Sequence, residues 1–403
     1  MSVREFQLSE IKRLFLITLI FVLVFSVSPF RADSAEIPDY RAAIAEYYMG
    51  NYQQASEMLA GYGENDIKEH QDFLAVQYLI KAEIKLYNVR RSRELIDFLQ
   101  EEGYTVGELY WKLGTLYLNK DGHFAMAMYK EARDMFEKAR DQGFYGLPQK
   151  RDLSRAYMGI NDYTRAVEIR EEVITADPRA EDYAFLGRGY KQLAELDKAV
   201  QFYEELIELD PDRDGVYLDL GDIYRSQNRL ERAVETYQRG LDKNPEQIGL
   251  RKALAETRFE REEYKDAEFL FSKIAESHPH LYEVHHYLGR IYEEQENWNL
   301  AFSSYREAVR YNKEYVTGYI SLGSLHFDRG NYEQAADNFQ QAIAQNPDHY
   351  EGYYHLARAY FALERYESAL EEVQKAVSRN TEFEPALELR SMLNELMESE
   401  TNG

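Results

Sequence analysis

The 403-residue chain contains no cysteine. Disulfides, thiol catalysis and a lipid-modified cysteine behind a leader are therefore all excluded. Positive charge is the second shortage: 48 Lys and Arg stand against 72 Asp and Glu, a net charge of −24. Such a surface repels phosphate backbones and anionic lipid, which excludes nucleic acid as a partner. Catalytic patterns are missing too. There is no glycine-rich phosphate loop, no Gly-x-Ser-x-Gly and no His-Glu-x-x-His, so the chain reads as a non-enzyme with no catalytic residues, no cofactor and no metal.

Long apolar runs are scarce, and the clear one lies at the start. Arg4, Lys12 and Arg13 precede the run from Leu14 to Val27, then come Ser28, Pro29 and the small-residue stretch Ala32-Asp33-Ser34. That order is the layout of a secretory signal peptide, and it puts the mature N-terminus near Ala35. The competing reading is an uncleaved anchor, since residues 14–30 just reach the length of a membrane span. Either way residues 1–34 are a signal peptide or N-terminal membrane anchor, and basic residues before the run place all that follows outside the cytoplasm. The expected location is exported, periplasmic or secreted, with membrane contact only through that segment.

What the chain has in abundance is repetition. Gly187, Gly221, Ala255, Gly289, Gly323 and Ala357 recur every 34 residues, and Ala199, Ala233, Ala267, Ala301, Ala335 and Ala369 follow each by twelve. An aromatic row comes four residues later at Tyr203, Tyr237, Phe271, Tyr305 and Phe339, with Val373 last. Pro211, Pro245, Pro279 and Pro347 close units, because proline has no amide hydrogen to continue a helix. Each unit reads as two helices, and a fixed period of this length is the mark of a stacked solenoid. The small residues are read as crossing points, Gly or Ala of the first helix facing Ala of the second, where axes about 8 to 10 Å apart leave no room for bulk. Most of the 34 tyrosines are then core.

The pairs Leu186-Gly187, Leu220-Gly221, Leu288-Gly289 and Leu322-Gly323 match closely the Leu-Gly pair that opens the hallmark of the tetratricopeptide repeat, in which Tyr, Ala, an aromatic, Ala and Pro follow at these spacings, and the pattern resembles that repeat. The resemblance implies an all-α, α-α superhelix, a solenoid of antiparallel helix pairs. Residues 147–381 hold seven units, the first marked by Leu153, Tyr157, Ala166 and Pro178 with a spacing of 33 to the next. Residues 38–146 are divergent: Leu113-Gly114, Tyr117, Ala125, Tyr129 and Ala132 form one unit, and weaker pairs centre on Tyr47, Tyr52, Ala55 and Leu59 and on Leu79, Ala82, Leu95 and Phe98. Residues 382–399 read as a capping helix with Leu387, Met392, Leu393 and Leu396, which solenoid ends require.

In this family the first helix of each unit lines the inner groove, with unit positions five, nine and twelve pointing inward. That register gives Arg151, Arg155, Met158, Ala184, Arg188, Lys191, Leu218, Asp222 and Arg225, five of nine basic in an acidic chain. It continues through Lys252, Glu256, Phe259, His286, Arg290, Glu293, Ile320, Ser324, Phe327, Tyr354, Arg358 and Phe361. The expected partner-binding groove is therefore Arg151, Arg155, Arg188, Lys191, Arg225, Phe259, Phe327, Tyr354 and Phe361. Guanidinium groups suit carboxylates, and apolar groups that packing does not need suit partner contact. Long cations also snorkel along helix surfaces or pair with nearby carboxylates. Glu256 stands where a chaperone-tail clamp would carry Asn, which argues against a chaperone-tail receptor.

Two clusters imitate metal sites. Asp210-Pro211-Asp212-Arg213-Asp214-Gly215 begins like a calcium loop, yet its twelfth position is Gly221 where a bidentate Glu is needed. His278, His280, His285 and His286 crowd one junction without carboxylates at helical spacing, and read as surface and packing residues. The functional expectation is a non-enzymatic scaffold in the cell envelope that binds an extended, acidic peptide or a partner helix. The alternatives are an accessory solute-binding component of an envelope transport system and a self-assembling structural protein, a homo-oligomer.

Overall fold

The computed structural model describes residues 40–63, 70–118, 125–213 and 215–402. The signal peptide or anchor of residues 1–34 lies outside the described residues, as does Asp214 of the acidic loop. Among the described residues there is no strand, and no helix is long and apolar enough to cross a membrane. The fold is all-α, a solenoid of antiparallel helix pairs.

Two compact units divide between Leu209 and Asp210. The N-terminal unit carries five pairs: α1 (Tyr40–Met49) and α2 (Tyr52–Leu59), α3 (His70–Lys85) and α4 (Val89–Glu101), α5 (Gly107–Leu118) and α6 (Ala125–Asp141), α7 (Leu147–Gly159) and α8 (Tyr163–Ile174), α9 (Ala180–Gln192) and α10 (Leu196–Leu209). The C-terminal unit carries α11 (Val216–Ser226) with α12 (Leu230–Lys243), α13 (Ile248–Glu260) with α14 (Tyr264–Ser277), α15 (Tyr282–Glu294) with α16 (Trp298–Tyr311), α17 (Val316–Asp328) with α18 (Tyr332–Gln345), and α19 (Tyr350–Ala362) with α20 (Tyr366–Arg379). Helix α21 (Glu384–Asn402) packs on α20 and buries Ala386, Leu389 and Leu393.

The turn inside each pair has one backbone solution, repeated with the period of the sequence. Ala194, Asn228, Glu262, Glu296, Gly330 and Glu364 all have φ between 57° and 76°. In that left-handed conformation Cβ crowds the following carbonyl, a cost of roughly 1–2 kcal/mol that glycine avoids; Gly330 is the one position of the six that does. Between pairs a second staple recurs. The residue six after the closing proline bonds that proline's carbonyl: the Tyr217 hydroxyl to Pro211 at 2.9 Å, the Arg251 guanidinium to Pro245 at 2.5 Å, the His285 ring to Pro279 at 2.7 Å and the Tyr353 hydroxyl to Pro347 at 3.1 Å. His285 is thereby occupied in linking repeats.

The small positions face aromatic rings rather than alanine, which corrects the expected Gly-to-Ala crossing. A Cβ on Gly187 would lie 2.7 Å from the Tyr203 ring, on Gly221 2.3 Å from Tyr237, on Gly289 2.5 Å from Tyr305 and on Gly323 2.5 Å from Phe339. The ring of the second helix lies flat in the space the missing side chain leaves, and the buried Ala one turn earlier lets the helices close around it.

The divergent unit follows the same logic with a longer connection. Gly114 meets Phe136, at 2.6 Å from a hypothetical Cβ, and Ala132 precedes that ring by four residues. The aromatic slot is therefore Phe136 and not Tyr129, because Gly114 and Phe136 are six residues farther apart in sequence than Gly187 and Tyr203. Tyr129 serves the next pair, its ring filling the space beside Gly159. Packing also runs unbroken across residues 146 and 147: the Trp111 indole N–H donates to Asp152 at 2.9 Å, and the Tyr157 hydroxyl donates to Glu137.

Candidate binding face of the first helices

Within each unit, first helices of successive pairs touch one another: α3 with α5 and α5 with α7 in the N-terminal unit, α11 with α13, α13 with α15 and α17 with α19 in the C-terminal unit. In each unit these helices form a face on which its inward positions fall, and the structure sorts those positions by what their side chains already hold.

In the N-terminal unit Arg151 departs from the expected groove surface. It is 8% exposed, and its guanidinium donates to Asp182 at 3.0 and 3.2 Å and to the Asp177 carbonyl at 2.6 Å. Asp182 is fully buried and also accepts from Arg170 at 2.7 Å. Arg170 completes its fork with the Ser154 hydroxyl at 2.9 Å and the Arg151 carbonyl at 2.9 Å, its guanidinium lying 3.9 Å from the Phe185 centroid. Burial works against the Asp182 charge, but hydrogen bonds from Arg151 and Arg170 outweigh it and hold the carboxyl below its ordinary value. This cluster joins α7, α8 and α9 and is internal structure.

Arg155 and Arg188 remain at the surface. Arg155 is exposed, 3.8 Å from Asp152. Arg188 is exposed and reaches the Ala184 carbonyl of its own helix at 3.3 Å. Lys191 is half-buried at the end of α9.

In the C-terminal unit the twelfth position of one pair meets the ninth of the next, 31 residues on. Arg225 is gripped by Glu256 at 2.8 Å and by Glu260 at 2.9 Å, so its charge is spent within the chain. Phe259 meets Arg290, whose guanidinium lies 4.4 Å from the ring centroid and 5.7 Å from that of Tyr287. Phe327 meets Arg358 at 4.6 Å, with Tyr354 at 5.7 Å on the other side. Tyr354 also packs edge-on against Phe383, and Phe361 against Tyr366. Phe259, Phe327, Tyr354 and Phe361 are all half-buried, so each presents part of a ring to solvent. Arg290 and Arg358 belong to this face as much as the residues singled out from sequence. The signal that finds them is the 31-residue step from aromatic to arginine.

His286 lies under the row, buried, with Nε2 3.0 Å from the Ser321 Oγ. Burial, and then the charge of Arg290, push its pKa down to about 4. His355, stacked on Phe339 at 5.2 Å, is pushed down to about 4 by burial, with Arg358 and His349 adding to it. Glu293, at the twelfth position of its pair, accepts the Tyr305 hydroxyl; burial raises its pKa.

The clusters that imitate metal sites have other occupations. Asp210 lies 3.9 Å from Arg213, and Asp212 lies 3.2 Å from Lys243. His278 bonds Ser277 at 2.9 Å. No group of three or more His, Asp or Glu converges on a possible metal position among the described residues.

The tetratricopeptide repeat family matches residues 192–257 and 320–385, which are stretches of the periodic region described above. These stretches are tetratricopeptide repeats. Solved structures that it is similar to include YrrB, described as a tetratricopeptide repeat protein with an unusual peptide-binding site, 23% identical over 47% of this chain and 97% of its own, with a TM-score of 0.39. A tetratricopeptide repeat protein from Parabacteroides merdae is 17% identical over 61% of this chain and 98% of its own, TM-score 0.47. Yeast Tom70 is 13% identical over 89% and 95%, TM-score 0.43. No curated protein matches the chain.

Proposed function

We propose that this protein is a non-enzymatic scaffold, exported to the cell envelope, that binds an extended segment of a partner protein along the exposed faces of its first helices. The observation that carries the reading is the state of the inward positions in each unit. Arg155 and Arg188 of the N-terminal unit, and Phe259, Phe327, Tyr354 and Phe361 of the C-terminal unit, keep surface that the packing of the pairs does not consume, while the small and aromatic repeat positions are buried. Repeats of this family bind protein or peptide partners, and cationic side chains in an acidic chain favour an acidic one. Export rests on the order of basic, apolar and small residues in segment 1–34.

Capture from envelope fractions tests the reading. The full chain is expected to retain a protein partner, and Arg155→Glu with Arg188→Glu is expected to abolish that capture while helicity and melting stay as in the parent. Unchanged yield of the same partner would move the site elsewhere. A retained small molecule would instead support the solute-binding alternative, and a homomer the structural one. Mass spectrometry of the native protein tests export: a chain starting near Ala35 supports it, and intact Met1 in a cytoplasmic fraction overturns it.

A further inference from the structure

We propose that Arg290 and Arg358 are two seats for carboxylates, so that the C-terminal unit selects an extended acidic peptide segment spanning two repeats; this rests on the binding face proposed above. The two arginines occupy the same position of pairs 68 residues apart, the intervening pair having Ser324 there. Each lies over the phenylalanine of the preceding pair, at 4.4 and 4.6 Å from the ring centroid, with a tyrosine at 5.7 Å. Neither reaches a carboxylate within ion-pair distance among the described residues, in contrast to Arg225, which holds two.

Two carboxylates of their own helices are turned elsewhere. Glu293 accepts the Tyr305 hydroxyl, and Glu351, the one carboxylate of α19, lies 3.5 Å from His349. Arg229, Arg329 and Arg379 also lie over rings, but Arg290 and Arg358 are the pair that do so on first helices of the C-terminal unit, at the same repeat position.

The ring contact does two things for ligand binding. It restrains the guanidinium before the ligand arrives, which cuts the ordering cost of binding, and a guanidinium held against a ring keeps N–H groups for a carboxylate. The ring also withdraws water from one side of the cation, strengthening the charge-assisted bond. Between the two arginines in sequence lies the half-buried Ile320, which together with the part of Phe327 left open suits apolar residues of the ligand. The recognised pattern is therefore two acidic side chains separated by an apolar stretch.

The experiment is selection of displayed random peptides on the full chain, in parallel on Arg290→Gln/Arg358→Gln and on Arg290→Lys/Arg358→Lys. Peptides recovered by the parent are expected to be rich in Asp and Glu. Their affinity is expected to fall on the order of tenfold or more in the glutamine variant. The lysine variant, which keeps the charge without the planar fork, is expected to fall between the two and serves as the folded comparison should the glutamine variant lose helicity. Recovered peptides without acidic bias, or acidic peptides bound equally by all three proteins, overturn the seats and leave the binding face standing. Recovery of no peptide by the parent overturns both.

Discussion

Ser154 and Arg170 stand in the first standard pair where Gly187 and Tyr203 stand in the next, and their side chains meet at 2.9 Å. The glycine-to-ring contact of the solenoid thus has a polar counterpart, in which the Arg170 guanidinium takes the place of the ring and Ser154 accepts a hydrogen bond where glycine leaves space. Asp182 neutralises it from the following helix at 2.7 Å.

Removing one member of this cluster is expected to cost more than replacing all of it. Asp182→Ala strands the buried Arg170 guanidinium, takes one of two carboxylates from Arg151, and is expected to lose about 3–5 kcal/mol. The triple variant Ser154→Gly, Arg170→Tyr, Asp182→Val restores the residues of the neighbouring repeat and leaves Arg151 its Asp177 partner at 3.1 Å. Chemical denaturation is expected to place it within about 2 kcal/mol of the parent. A triple variant as weak as Asp182→Ala contradicts this account of the cluster.

Glycine substitutions should divide by what faces them. Gly221→Ala drives a Cβ to 2.3 Å from the Tyr237 ring and is expected to cost roughly 1–3 kcal/mol through overpacking. Gly249→Ala meets only Leu218 at 3.6 Å, ordinary contact, and is expected to gain about 0.5–1 kcal/mol from the lower entropy of the unfolded chain. Denaturation midpoints of opposite sign check the pair. In the same test Ala335→Leu, fully buried, is expected to be costly and Glu333→Leu, exposed, nearly neutral.

Buried histidines make stability depend on pH in a defined window. His286 and His355 titrate at about 4 in the folded protein against roughly 6.5 unfolded. The unfolded chain therefore binds more protons between those values, so stability is complete above about pH 6.5 and falls as pH drops toward 4. Each histidine accounts for at most roughly 3 kcal/mol of that loss. Asp182, whose carboxyl is held below its ordinary value, adds stability that is lost only at still lower pH. Melting temperatures from pH 7.5 to 4.5 should show a shallower decline in His286→Gln/His355→Gln than in the parent, and identical slopes would refute it.

The helix pairs could be read from the sequence because every pair must solve the same packing problem, so the solution recurs at Gly, Ala, aromatic and Pro. Partners of charged groups were not legible in the same way. Arg151 reads as an inward cation by register, but its fate depends on Asp182 and Arg170, and Arg170 had vacated an aromatic slot without leaving a periodic trace. Tyr129 belongs to the divergent pair, as its sequence suggests, but six inserted residues shift the register of α6, so that Phe136 fills the ring slot and Tyr129 packs against Gly159. Arg290 and Arg358 were visible as members of the inner row, whereas their seats on Phe259 and Phe327 follow only from contacts between successive pairs.

Photo-crosslinking in the native cell tests the binding face most directly. A benzoylphenylalanine replaces either Phe327, on a first helix, or Phe269, an exposed ring on the second helix α14. The account predicts a covalent adduct with a partner protein from position 327 and none from 269, weakened when Arg290 and Arg358 are both glutamine. Adducts from 269 with none from 327 would contradict it and place the partner on the second helices.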